Sequence, residues 1–129
     1  MTYLCFDLGL RNTGVAWADS VKLPQPVETI HHKRTEELLV QIEKIITKYN
    51  PNVIVLGKPS KGVIGSLSKD IKKNLEKTYT GEIYLQDENF SSQQAEKKVI
   101  ETGKSATKRR QIHHSAAAAV ILQDFLDQH

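Results

Sequence analysis

The sequence lacks the marks of several protein classes. One cysteine, Cys5, stands among 129 residues. No internal disulfide is open to the chain, and Cys5, inside an apolar run, reads as a small buried hydrophobe rather than a reactive thiol. No apolar run approaches the ~20 residues that a membrane-spanning helix needs. No basic stretch precedes the first apolar run, and no small-residue cleavage site follows it. These absences lead to the expectation of a cytoplasmic chain with no membrane partner. Internal repeats are missing, and the one biased tract is Ala116 to Ala119. With 39% hydrophobic and 26% charged residues the composition is that of a globular protein. The length suits a single domain over 1–129.

What is there begins with charge. The formal net charge is +3, and its distribution is more informative than its sum. Six lysines fall in 58–77 against Asp70 and Glu76, and six lysines or arginines fall in 95–114 against Glu96 and Glu101. Such clusters are either solvated helix faces or a basic rim that holds a phosphate backbone.

Periodicity sets out the elements. Residues 2–8 read as a buried strand ending near Asp7, and 13–19 as a second strand after a Gly/Asn turn, which together make an antiparallel hairpin. Pro24 and Pro26 confine any strand over 21–30 to an edge or an irregular path. Leu38, Leu39, Ile42, Ile45, Ile46 and Tyr49 recur at helical spacing, which predicts a helix over 35–49 with Thr35 as its N-cap and Asn50-Pro51 as its stop. Val53 to Leu56 is a short continuous apolar run, the pattern of a strand buried on both faces. A Ser/Gly loop over 60–66 leads to a Lys-rich helix over about 66–78, followed by a strand over 83–86. A helix from Ser91 or Ser92 to about 102, a basic loop over 104–110 and a final helix over about 112–127 complete the chain. An antiparallel start followed by alternating helices and strands implies one mixed sheet with helices on its faces.

In open α/β sheets, functional groups gather beyond the carboxyl ends of the strands. Asp7 and the Asp87-Glu88 pair end strands, and His113 and His114 open the last helix. Carboxylates converging with an imidazole can bind a divalent cation: Mg²⁺ favours oxygen ligands and Mn²⁺ also tolerates imidazole. Such a cation activates water and stabilises charge on a phosphodiester. Each residue also has a structural explanation. Asp7 before Gly9 can accept hydrogen bonds in a turn. Asp87, Glu88 and Asn89 can favour a helix start. His113 and His114 can precede a Ser115 cap. His31, His32 and His129 receive no role.

Several stretches together carry a family resemblance. They are "FDLGLRNTGVA" (6–16), "VIVLGKP" (53–59), "DENFSSQQA" (87–95) and "KRRQIHHSAAAAVILQDFL" (108–126). In order and spacing the chain resembles the YqgF/RuvX family, relatives of the RuvC Holliday-junction resolvase, over nearly its whole length. The resemblance implies an α/β RNase H-like fold, a mixed five-stranded sheet flanked by helices. It implies a Mg²⁺- or Mn²⁺-dependent nuclease acting on structured RNA or branched DNA. The substrates it points to are the 5′ end of precursor 16S ribosomal RNA and Holliday junction-like DNA. Carried across, the resemblance assigns catalysis and metal to Asp7, Glu88 and His114, with Asp87 and His113 as second choices. Phosphate contacts fall to Arg11, Lys58, Lys61, Lys108, Arg109 and Arg110. A monomer or weak homodimer is expected.

The chain departs from the family pattern at three places. Asn12 and Asn89 stand where the family has arginine, and His114 where it has an aspartate. Arginine clamps phosphate bidentately, so these exchanges support an alternative: a catalytically impaired nucleic-acid-binding module of the same fold. A third reading, nucleotide handling as in actin-like ATPases, rests on "DLGLRNTG" alone, and those proteins need two such domains.

Overall fold

In the computed structural model, residues 1–20, 23–58, 63–87 and 106–128 are described; at Lys58, 63–65, Asp87 and 106–113 the description is of the backbone. Among these residues five strands form one sheet: β1 (Thr2–Asp7), β2 (Asn12–Asp19), β3 (Gln25–His31), β4 (Val53–Lys58) and β5 (Glu82–Asp87). Their order is β3-β2-β1-β4-β5, with β1 antiparallel to β2 and parallel to β4. Helices α1 (Thr35–Tyr49), α2 (Val63–Leu75) and α3 (Ala106–Gln128) cover the faces.

Strand alternation sorts the side chains into two cores. Leu4, Phe6, Val15, Ile54 and Leu56 face one side and meet Leu38, Ile42 and Ile45 of α1 and Ile71 and Leu75 of α2. Cys5, Ala16, Ala18, Val53 and Val55 face the other and meet Ala118, Ile121, Leu122 and Phe125 of α3. The interior position of β4 explains its unbroken apolar run, since Val53 to Leu56 feed both cores in alternation.

The third strand is a true ladder strand at the sheet edge. Pro26 lies opposite Ala16 and Glu28 opposite Val15, which leaves Val27 as the extra residue of a bulge. On an edge strand a proline without an N–H costs little. Helix α1 begins at Thr35, with Arg34 extended at the cap position and making no side-chain cap. Thr35 is therefore the first helical residue and not the expected cap; just before the helix, Glu37 Oε2 accepts the Lys33 backbone N–H at 3.2 Å. The helix ends where Asn50 adopts the left-handed region (φ 46°) and its N–H donates to the Ile46 carbonyl at 2.7 Å.

Two boundaries differ from the sequence expectation. Helix α2 starts at Val63, inside the expected 60–66 loop. Helix α3 starts at Ala106, so Lys108, Arg109 and Arg110 are helical and not part of a loop. The 106–128 stretch contains neither glycine nor proline, and Ala, Lys, Arg and Gln all favour helix. Ser115, considered as a cap, is instead buried within α3. The helix expected over 91–102 lies outside the described residues.

Candidate nucleic-acid site at the carboxyl edge of the sheet

Asp7 is the last residue of β1, the middle strand, and is 8% exposed. Its register partner on one side is Gly14 of β2, and on the other Gly57 of β4. The same row continues to Thr29 of β3 and Gln86 of β5. Asp7 thus stands in the centre of the sheet with no side chain on either neighbouring strand position. Alternation puts it on the face of Cys5, the face that α3 covers.

Gly14 explains how α3 reaches this row. A Cβ at Gly14 would overlap the backbone carbonyl of His114 and lie 2.9 Å from the Ser115 nitrogen. The helix backbone rests directly on the strand, which only glycine permits. At its other end α3 stacks Phe125 against Tyr3 and Tyr84, with ring centroids 6.5 and 5.1 Å apart. The helix therefore runs from the Asp7 row towards the opposite edge. Its residues before His114 continue on the side of β3, the edge strand that α3 also contacts. At ~1.5 Å per residue, the backbone positions of Arg110 and Lys108 fall about 6 and 9 Å along the axis beyond His114.

The β1–β2 connection is tight. A Cβ at Gly9 would meet the Asn12 carbonyl, so the turn depends on that glycine. The turn is tied to β3, because the His32 N–H donates to the Arg11 carbonyl at 2.9 Å. Arg11 is exposed on this loop. Asn12 opens β2 opposite His31, and its Oδ1 lies 2.6 Å from His31 Nδ1.

The predicted site residues divide accordingly. Asp7 and the His114 backbone are brought together across Gly14. His113 precedes His114 on α3, and Lys108, Arg109 and Arg110 lie on the part of that helix before it. Lys58 and Asp87 end neighbouring strands as a register pair, one step beyond the Gly57–Gln86 pair that continues the Asp7 row. Glu88, Lys61 and Asn89 lie outside the described residues. Among the described residues no cluster of three or more His, Cys, Asp or Glu could hold a metal. Carboxylate and imidazole, the groups that Asp7 and His114 carry, are the donor types that Mn²⁺ accepts, and carboxylate also suits Mg²⁺.

His31 and His32 are part of this edge although the sequence assigned them nothing. His32 is 6% exposed, with Nε2 3.0 Å from Thr13 Oγ1. Burial lowers its pKa from the ordinary imidazole value; Glu37 opposes that shift and His31 adds to it. The available signal was the "HHKR" run just before a helix start.

Comparison with known proteins fits this architecture. A family model described as RuvX, Holliday junction resolvase, matches residues 1–128. A relative from Geobacillus sp. (strain WCH70) is 36% identical, and the alignment covers 98% of each chain. One from Bacillus subtilis (strain 168) is 35% identical, also over 98% of each. One from Thiobacillus denitrificans is 30% identical over 98% of this chain and 91% of the relative. All three carry the provisional name pre-16S rRNA nuclease. Among solved structures, T. thermophilus RuvC in complex with a Holliday junction substrate superposes with a TM-score of 0.65 at 10% identity, covering 99% of this chain and 96% of that one. The fowlpox virus Holliday junction resolvase gives 0.64 at 14% identity, covering 99% of both. At these identities the likeness establishes the fold, an RNase H-like mixed sheet flanked by helices.

Proposed function

The chain belongs to the RuvX family, and from that premise we propose that it is a nuclease that hydrolyses phosphodiesters in structured nucleic acid with Mg²⁺ or Mn²⁺. The substrate class is the 5′ end of precursor 16S ribosomal RNA, the activity named for the relatives, or branched DNA, the substrate named for the structural neighbours. The observation that carries the reading is Asp7: a nearly buried carboxylate ending the central strand, flanked by Gly14 and Gly57, with α3 laid against it.

In this reading Asp7, Glu88 and His114 hold the cation, with Asp87 and His113 as second choices. A bound cation supplies Lewis-acid stabilisation and a more acidic water. The chain's own residues bind and orient. Arg11 on the loop, Lys58 and Lys61 after β4, and Lys108, Arg109 and Arg110 on α3 hold phosphates on either side of the reacting one. Hydrolysis forms a bond from water oxygen to phosphorus and breaks one bridging P–O bond, and the departing alkoxide takes up a proton. His114 is placed to accept or return a proton or to ligate.

Asp7→Asn tests this. Cleavage of a pre-16S 5′-end RNA or a four-way junction is expected to fall by at least ~10²–10³-fold, the scale for removing a group that acts on developing charge. The thermal unfolding midpoint should stay near that of the parent. Equal cleavage by parent and variant sinks the assignment. A second reading, binding without cleavage, is favoured by one feature: Asn12, in the place of a family arginine, has its amide oxygen engaged by His31. Salt-dependent binding by the parent without turnover in either metal would select it.

A further inference from the structure

We propose that the flank of the β1–β2 loop facing α1 and α2 seats one unpaired nucleotide of the bound strand, its phosphate outward and its base inward. This rests on the nuclease reading above and names a contact that the reading does not contain.

Two cavities meet there and share His32 and Lys33. The outer one, about 490 Å³ and open to solvent, is also lined by Arg11, His31 and Glu37. The inner one, about 250 Å³, is walled by Leu10 and Leu67, with the exposed Thr35, Ser66 and Asp70 as further polar groups among the described residues. Leu10 is 56% exposed at the loop, and Leu67 is half-buried. The inner volume is below that of drug-sized ligand pockets and suits a single planar ring system rather than a base pair.

The polarity is ordered. Arg11 and Lys33 bring positive charge to the outer cavity. His31 is held by Asn12 through Nδ1, which leaves Nε2 as its other polar atom. Among its described lining residues the acid is Glu37, which already accepts the Lys33 backbone N–H at the helix start. In the inner cavity the charged acceptor is Asp70. An inorganic anion would leave Leu10 and Leu67 unused, and a hydrocarbon would strand Asp70. A nucleotide satisfies both cavities: phosphate to the cations, ring between the leucines, and an exocyclic amino group to the carboxylate, the pairing that acids make with cytosine N4.

His32 supplies an independent sign. It belongs to both cavities, is buried, and its Nδ1 has no hydrogen-bond partner among the described residues. Buried polar atoms are seldom left so, and those that are call for a missing partner or a function. The position also fits. The loop follows Asp7, which lies on the α3 face, and the seat lies on the face of α1 and α2, so a bound strand reaches both by passing over the loop. Seating costs least when the base is already unpaired, which favours junctions and single-stranded ends.

Hairpins of RNA and of DNA carrying one unpaired cytosine, or an abasic residue in its place, are titrated against the full chain in EDTA by fluorescence anisotropy. The cytosine hairpin is expected to bind about tenfold tighter, ~1.4 kcal/mol. Asp70→Asn and Leu10→Ala should each cut that ratio to roughly two or less without changing the salt dependence. His31→Ala with Lys33→Ala should weaken both hairpins alike and lower the salt slope by about one. An excess with RNA or with DNA supports the seat and identifies the sugar it takes. A chain that binds both hairpins and cleaves through Asp7, yet shows a ratio of one, overturns the seat alone. So does a ratio that survives both Asp70→Asn and Leu10→Ala. A chain that neither binds nor cleaves overturns the seat and the nuclease reading together.

Discussion

A histidine that is neutral because it is buried links folding to pH, and His32 is in that state. Its pKa is lowered in the folded chain, chiefly by burial. The unfolded chain titrates His32 near the ordinary value of about 6.5. Between the two values the unfolded state binds more protons, so stability rises with pH across that window. The contribution is fully present above about 6.5 and is lost as pH falls towards the folded value. Urea unfolding at pH 7.5 and at pH 5.5 should therefore show lower stability at the acid end. His32→Gln, which has no proton to gain, should flatten that difference relative to the parent. An unchanged pH dependence in the variant would remove His32 from the account. The two histidines also mark a limit of sequence reading. Asn12 and Thr13 meet His31 and His32 only because β2 and β3 pair in the observed register. Nothing in the local pattern of a Pro-containing segment sets that register.

At the scale of elements, the approach of α3 to β2 makes the site, and it hangs on Gly14. Alanine there would put a methyl group into the His114 carbonyl, and a helix packed by Ala117, Ala118, Ile121 and Leu122 cannot retreat without opening that core. Gly14→Ala is expected to cost ~1–3 kcal/mol, the usual range for overpacking, measured by denaturant unfolding. Cleavage should fall further than that loss of folded protein accounts for, because His114 is displaced from the Asp7 row. Stability and activity both equal to the parent would show that α3 does not bear on β2 as described. The sequence made some elements plain and others not. Helix α1 was legible because its apolar residues repeat at 3.6, and β4 because a run of four apolar residues can only feed two cores. The start of α3 was not. Lys108 to Arg110 read as a loop because charge masks periodicity, whereas the backbone follows the helix propensity of those same residues. Asp7 was legible as a strand-end acid. Its flanking glycines became meaningful only once Gly57 was seen beside it from a strand fifty residues away.

Across the whole molecule, the formal charge of +3 understates the field that a nucleic acid meets. Arg11, His31 and Lys33 gather at one end of the sheet, and α3 carries Lys108, Arg109 and Arg110 before His114, on the side of β3. A phosphate backbone laid across that edge displaces condensed counterions in proportion to the contacts it makes. If all three α3 residues touch phosphate, replacing them together with glutamine lowers the slope of log K against log salt by up to about 2.7 on duplex arms. Lys44, exposed on the middle of α1, is the comparison: Lys44→Gln should leave the slope where it was. The two substitutions separate a general effect of net charge from a placed one, since each removes positive charge but only one set lies at the edge. Equal slope changes per charge would mean that the molecule attracts nucleic acid as a whole cation. A change confined to the α3 set would show that the same helix that buries its Ala-rich length on the sheet uses its N-terminal end to hold the strand over Asp7.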